Sequence, residues 1–366
     1  MSAIRFLAAD KLASWLAEVA ASRQVLAPRQ EGKAVVFRPL VAGETPSLAR
    51  ATISPKAAVF PACETLVSFT GTKDPENPAK LNMKLDDTPD APARMVFGCR
   101  SCDARGFAVL DKPFLEGKFQ DTYYKARRDN LLVVTRTCDS PCSTCFCHWV
   151  GGGPTSPEGS DVLMTEVEGG YVLQAMTDKG AALNGGFVLE AVSEKGEAFL
   201  ASTKLADGSD KMDEAKAARE KAAASQQPAP DLSKAARRLE QRFTDVNFWA
   251  EQTAKCLSCG ACTYMCPTCQ CFNISDEGNN LEGRRLRSWD NCMSPLFTRE
   301  ASGHNPRTAK ALRMRNRVSH KYWYAPDYSD GRFACTGCGR CIKQCPVSLD
   351  IREIVLNAIA DDAEAK

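Results

Sequence analysis

Apolar residues recur near the start of the chain with the spacing of an amphipathic helix. The recurring positions are Leu12, Trp15, Leu16 and Val19. Because they stand three or four residues apart, they would share one face of a helix over residues 10–22. The polar face of this helix is not basic, so we expect it to pack against a core rather than lie on a membrane.

Short apolar runs bounded by Pro, Gly or charged residues follow, and they predict β-strands. The runs are residues 34–37, 57–60, 95–97 and 131–135. Between the last two, residues 103–110 predict a helix with Asp103 at its N-cap. A strand–helix–strand order indicates an α/β layer with parallel strands. Later runs at 162–167 and 171–176 flank Gly169-Gly170 and predict a hairpin.

A change of composition suggests where the chain divides. Residues 204–230 are rich in Ala, Lys, Glu and Gln and end in Gln-Gln-Pro-Ala-Pro, which predicts a solvated helix plus a linker. We therefore predict an α+β protein. It would have an N-terminal α/β domain over residues 1–203 and a C-terminal domain over residues 231–366.

Composition restricts the classes of function. The 366 residues are 44% hydrophobic and carry a net charge of +2, which offers no general attraction for nucleic acid. We expect a cytoplasmic protein, because no signal peptide and no apolar run of membrane-spanning length is found. Eighteen cysteines in such a chain indicate metal ligands or redox chemistry rather than disulfides.

Eight of these cysteines form two copies of one pattern, C-x2-C-x2-C-x3-C-P. The first copy is Cys256, Cys259, Cys262 and Cys266, and the second is Cys335, Cys338, Cys341 and Cys345. This spacing is typical of bacterial ferredoxins with two clusters, in which the fourth cysteine of each copy binds the other cluster. Zinc sites commonly use paired C-x2-C motifs, which this pattern does not match.

The pattern predicts two 4Fe-4S clusters with crossed ligands. Cluster I would take Cys256, Cys259, Cys262 and Cys345, and cluster II would take Cys335, Cys338, Cys341 and Cys266. The 68 residues between the two copies exceed what a compact ferredoxin needs. The C-terminal domain is therefore expected to be a split ferredoxin-like domain with a basic insert over residues 272–330.

A further group of cysteines follows the two central predicted strands. We expect Cys102, Cys138, Cys145 and Cys147 to bind a third iron–sulfur cluster at the carboxyl ends of those strands. Zinc is an alternative, since four thiolates suit both metals, and a redox-active thiol pair is another. Two further cysteines, Cys99 and Cys142, would be spare.

The remaining cysteines and a basic run allow several interpretations. Cys63 is expected in the core, and three others would either pack beside cluster II or hold part of another site: Cys269, Cys271 and Cys292. A basic run extends from Arg307 to Lys321. It would form a solvated face, offset the negative charge of the clusters, or contact an acidic partner.

Several of these segments together resemble a known family. They are residues 98–105, 121–128, 138–147, 256–271, 287–292 and 335–345. In these segments the chain resembles the beta subunit of sulfhydrogenases and sulfur reductases. It is also similar to the iron–sulfur subunit of flavin oxidoreductases that feed heterodisulfide reductase, and to the corresponding subunit of anaerobic sulfite reductase. The resemblance implies an electron-transfer subunit within a larger complex.

The function predicted from these observations is electron relay. The chain has no G-x-G-x-x-G turn after a strand, so we expect a separate flavin- and NAD(P)-binding subunit to supply electrons. The acceptor would be a hydrogenase, a heterodisulfide reductase or a related module. One alternative is a catalytic subunit for sulfur or sulfite reduction with an open-coordination cluster. Another is a scaffold whose clusters only stabilise the fold.

Overall fold

The computed structural model describes residues 3–41, 43–167 and 186–360. Its strands are β1 Ile4–Ala8, β2 Gln24–Glu31, β3 Ala34–Pro39, β4 Cys63–Lys73, β5 Leu81–Asp86, β6 Arg94–Cys99, β7 Leu131–Arg136, β8 Val162–Val167, β9 Gly186–Ala191, β10 Ala206–Asp207, β11 Phe272–Gly278 and β12 Glu282–Trp289. Its α-helices are α1 Leu12–Ala20, α2 Ser101–Leu115, α3 Thr122–Asp129, α4 Glu194–Ser202, α5 Met212–Ala224, α6 Ala235–Gln241, α7 Val246–Gln252, α8 Ala261–Tyr264, α9 Lys310–Ser319, α10 Ala325–Tyr328, α11 Arg340–Lys343 and α12 Ile351–Ile359.

An eight-stranded sheet forms the N-terminal part, in the order β10-β1-β9-β8-β7-β6-β2-β3. The four neighbouring strands β8, β7, β6 and β2 are parallel, as the strand–helix–strand order predicts. Alternate side chains of β6 enter different cores: Met95 and Phe97 pack with α1, and Val96 packs with α2. This mixture of helices and sheets confirms the α+β class.

A four-stranded antiparallel sheet has the order β11-β12-β4-β5. Two of its strands come from the N-terminal part, and two come from the segment between the ferredoxin motifs. Beyond this sheet, the C-terminal helices enclose a separate core that contains Trp249, Met314 and Tyr322. None of the helices in the described part of the chain is long and apolar enough to cross a bilayer.

Several local predictions need correction. Residues 57–60 are not a strand, because a 3-10 helix occupies Pro55–Ala58 and the backbone N–H of Val59 donates to Lys56 O. The N-cap of α2 is Arg100, and Asp103 lies three residues later, where its carboxylate accepts from the Arg100 backbone N–H.

The predicted hairpin and linker are described only in part. The first hairpin strand is β8, but residues 171–176 lie outside the described residues. Helix α5 lies within the predicted linker and is not fully solvated: Ala215 and Ala222 are buried, and Arg219 forms an ion pair with Glu190 of β9. The division of the chain into domains stays a prediction.

Candidate iron–sulfur sites

The four cysteines predicted to bind cluster I line one cavity, which we call site I. They are Cys256, Cys259, Cys262 and Cys345. Helix α8 begins directly after Gly260, which has a φ of +76°. An added Cβ there would lie 2.9 Å from the side-chain oxygen of Asn291, so glycine suits this turn in both conformation and space.

Backbone amides point at two sulfurs of site I. The N–H of Ser258 donates to Cys256 Sγ at 3.4 Å, and the N–H of Leu349 donates to Cys345 Sγ at 3.2 Å. Hydrogen bonds to the sulfurs stabilise a negatively charged thiolate and raise the reduction potential of an iron–sulfur cluster. The local structure of site I therefore fits the cluster that its sequence predicts.

The second motif repeats this geometry at site II, which we define as Cys335, Cys338, Cys341 and Cys266. Helix α11 begins after Gly339, whose φ of +69° matches that of Gly260. The N–H of Gly337 donates to Cys335 Sγ at 3.4 Å. Burial, and to a lesser extent the nearby charge of Cys266, raises the pKa of the Cys338 and Cys341 thiols.

The structure therefore places Cys345 with the first motif and Cys266 close to the second. This is the arrangement that crossed ligation requires, although the identity of the ligands stays a prediction. Cys341 also lines the site I cavity, so sites I and II are neighbours.

The four cysteines of the predicted third cluster also line one cavity, which we call site III. They are Cys102, Cys138, Cys145 and Cys147. Cys102 lies in the first turn of α2, and Cys138 follows β7, so the site forms beyond the carboxyl ends of two parallel strands. Cys338 of site II lines the same cavity.

The two spare cysteines differ in position. Cys99 is buried and its thiol contacts Thr135 Oγ1 at 3.6 Å, away from the cavity. Cys142 lies beside site III, where its sulfur accepts hydrogen bonds from Arg50 and from the Cys145 thiol. The Cys145 thiol and the Arg50 guanidinium lower the pKa of Cys142 to about 4.

A close backbone contact joins sites II and III. Gly337, with a φ of +62°, is so close to Phe146 that an added Cβ would lie 2.4 Å from the Phe146 carbonyl carbon. The N–H of Phe146 donates to Gly337 O at 2.8 Å. The loop carrying Cys145 and Cys147 is therefore fixed directly to the loop of the second ferredoxin motif.

The donor set of site III suits a cluster better than a single ion. Within the described residues, no three His, Cys, Asp or Glu side chains converge as ligands of one metal ion. The sulfurs instead surround a cavity, and the thiolates of a cubane cluster bind different irons. The residues present at sites I, II and III fit iron–sulfur clusters.

Buried cations surround the sulfurs of sites I and II. Lys321 and Arg317 are 4% exposed, and neither forms an ion pair with a carboxylate in the described part of the chain. Burial alone would lower the pKa of Lys321, but the charges of Cys266 and Cys269 outweigh it and the pKa is raised. For Arg317, nearby cysteines including Cys262 have the same effect against burial.

The basic run is therefore not simply a solvated face. Arg313 is also buried and donates to Ser258 Oγ in the loop of site I. The positions of Arg317 and Lys321 fit the interpretation that the run offsets the charge of clusters.

Sequence reasoning missed two cations from the N-terminal part. Lys56 is 3% exposed and donates to Cys269 O at 2.9 Å, and its Nζ lies 4.1 Å from the ring centroid of Trp289. Arg50 lies between the cysteines of site III and Arg340. The signal at position 56 was a single lysine in an otherwise apolar run, Ser-Pro-Lys-Ala-Ala-Val-Phe, where a solvated side chain is not expected.

The remaining cysteines lie outside these three cavities. Cys269, Cys271 and Cys292 are buried or partly buried near sites I and II. Cys63 was expected in the core, but it is exposed at the start of β4. Its exposure follows from the alternation of β4, in which Glu64 rather than Cys63 points inward to Arg127 and Arg287.

Comparison with known proteins identifies the class first. The family model described as a 4Fe-4S dicluster domain matches residues 255–349, which include both ferredoxin motifs. The chain is therefore an iron–sulfur protein, and electron transfer is the role that this class supports.

A characterised relative then identifies the family. Sulfhydrogenase 2 subunit beta of Pyrococcus furiosus is 32% identical over 260 residues, which cover 70% of this chain and 71% of that protein. The chain belongs to the family of sulfhydrogenase beta subunits, which confirms the resemblance found in its sequence. No solved structure matches the chain significantly.

Proposed function

We propose that this chain is an electron-transfer subunit that binds three 4Fe-4S clusters at sites I, II and III. The observation that carries the proposal is the order of the sites. Cys341 of site II lines the site I cavity, and Cys338 of site II lines the site III cavity. Site II is thus between the other two, as a relay with two ends requires.

The residues of the chain would hold and tune the clusters. Each site offers four cysteine sulfurs, and a 4Fe-4S cluster bound there would exchange one electron at a time. The amides of Ser258 and Leu349 would stabilise the thiolates of site I. Lys321 and Arg317 would offset the negative charge and so favour the reduced state.

Four sulfurs around the site III cavity support a fully ligated cluster there. A catalytic cluster with an open iron would need a site that offers three. Iron and sulfide analysis of the anaerobically purified chain tests this assignment. We expect about 12 irons per chain from three cubane clusters. About 8 irons with one zinc would contradict the third cluster and leave the electron-transfer role of sites I and II intact.

We further propose that the chain works in the cytoplasm as part of a multi-subunit complex. The name of the relative, a subunit beta, supports the complex. A flavin- and NAD(P)-binding subunit would supply the electrons, because nicotinamide delivers a hydride and a flavin converts it to single electrons. The electrons would pass to a hydrogenase, a heterodisulfide reductase or a related module.

Anaerobic reduction followed by visible absorption tests this arrangement. The iron-loaded chain should bleach with dithionite but stay oxidised with NADH or NADPH alone. Addition of the flavin subunit encoded beside it should restore reduction by one nicotinamide, and the same subunit stripped of flavin is the matched control. Rapid bleaching of the isolated chain by NADH would refute the need for a flavoprotein partner.

A further inference from the structure

Three buried or partly buried cysteines of the C-terminal half remain without a role. Cys269 and Cys271 follow the first ferredoxin motif, and Cys292 follows β12. None of them lines the cavity of site I or site III. Ordinary packing does not need three thiols in one place, so their arrangement indicates chemistry.

Two of these cysteines meet at the base of the hairpin formed by β11 and β12. Cys271 immediately precedes β11, and the N–H of Asp290 donates to its carbonyl oxygen at 2.9 Å. This pairing brings the chain back so that Cys292 lies beside Cys271. Both the thiol and the backbone N–H of Cys292 donate to Cys271 Sγ.

Comparison with the other close thiol pairs shows what is particular to this one. Cys142 donates to or accepts from Cys145, and Cys266 is paired in the same way with Cys269. In each of those pairs, one member belongs to a proposed cluster site. In the pair at the hairpin, neither sulfur does, so both are free to bond to each other.

The surroundings of the pair favour electron exchange. The charge of Cys292 contributes to raising the pKa of Cys262, so the pair is near a cysteine of site I. The cation of Lys321 is near both sulfurs of the pair and would stabilise a thiolate there. Cys271 is partly exposed and Cys292 is 8% exposed, so the pair is shielded but not sealed from solvent.

We propose that Cys271 and Cys292 form a redox-active dithiol–disulfide pair beside the cluster sites. Reduction breaks one Sγ–Sγ bond, takes up two electrons and two protons, and leaves two thiols. The reductant is a low-potential electron donor of the kind that reduces 4Fe-4S clusters. In the reverse direction, the two thiols lose two protons and two electrons to an acceptor of higher potential. The pair would give a one-electron relay a store for two electrons.

The first test examines the bond itself in the full iron-loaded chain. One anaerobic sample is oxidised with thionine, another is reduced with dithionite, and both are quenched in acid with excess maleimide. Peptide mapping by mass spectrometry should find Cys271 joined to Cys292 only in the oxidised sample. In the reduced sample both should carry maleimide. Cys256 should carry maleimide in both samples, which controls for disulfides formed when clusters break down.

The second test counts electrons. Redox titration of Cys292→Ser should consume two electrons fewer per chain than the unaltered protein, with unchanged iron content. Cys63→Ser, at an exposed cysteine, should match the unaltered protein. Absence of the joined peptide at every potential would overturn the proposal. A loss of about 4 irons in Cys292→Ser would overturn it too, because that result would make Cys292 a cluster ligand.

Iron content and the joined peptide distinguish this inference from the proposed function. Full iron content without the joined peptide would refute the dithiol pair alone. Low iron content with the joined peptide present would refute the three-cluster assignment alone. If Cys292→Ser fails to fold, the mapping of the unaltered chain still decides.

Discussion

One buried ion pair connects the loops of sites II and III, and its removal gives the most direct test of how they are held together. Arg340 in α11 contacts both carboxylate oxygens of Asp103 in α2, at 2.5 and 3.0 Å. The two side chains are 3% and 1% exposed. Arg340 follows Cys338 and Gly339, and Asp103 follows Cys102 directly, so the pair joins the backbones that carry the two sites.

The substitution Asp103→Asn would leave the Arg340 charge buried without its partner. Breaking a buried pair in this way typically costs about 3–5 kcal/mol. The sulfurs of Cys102 and Cys338 also face Arg340 and would compensate in part, so we expect about 3 kcal/mol. At about 2 °C per kcal/mol for a chain of this size, the melting temperature should fall by about 6 °C.

The matched control is an exposed pair of the same charge type. Arg284 and Glu277 lie 3.2 Å apart with side chains 57% and 55% exposed. Such pairs contribute under about 1 kcal/mol, so Glu277→Gln should lower the melting temperature by under about 2 °C. Calorimetry of the iron-loaded chains at one scan rate measures both. Equal effects of the two substitutions would refute the role assigned to the buried pair.

Three further predictions concern the sites themselves. Gly337→Ala should destabilise the chain and lower its iron content, because the added methyl group meets backbone, whereas Gly303→Ala, with open space, should keep its iron. Cys266→Ser should change the paramagnetic resonance of site II, and Cys345→Ser that of site I; the opposite assignment would exclude crossed ligation. Lys321→Gln should lower the potential of site II by roughly 90 mV in a redox titration, from a unit charge acting over about 8 Å at a dielectric of about 20.

The chemistry of the C-terminal region was predictable because ligand spacing is written directly in the sequence. The pattern around Cys256 and Cys335 specifies short loops whose turns need glycine, and Gly260 and Gly339 adopt that conformation. Periodicity likewise predicted α1 and the parallel strands, because an apolar face has the same spacing wherever it packs.

Tertiary contacts account for what the sequence did not predict. Nothing near Lys56 indicates that a lysine would be buried against Cys269, since its partner is 213 residues away. The run 57–60 is as apolar as a strand, but Pro55 begins a 3-10 helix there. Likewise, the exposure of Cys63 depends on its pairing with Ser288, which sequence spacing does not show.

The mixed origin of the four-stranded sheet has a consequence for biosynthesis. Cys63 of β4 pairs with Ser288 of β12, 225 positions later. At about 5–20 residues per second, β4 would wait roughly 10–45 s for its partner strand to be translated. During that time one edge of β4 is an unpaired template for aggregation. The cysteines of site III are all translated by then, whereas site I waits for Cys345, so metal loading in the cell should begin at the N-terminal end.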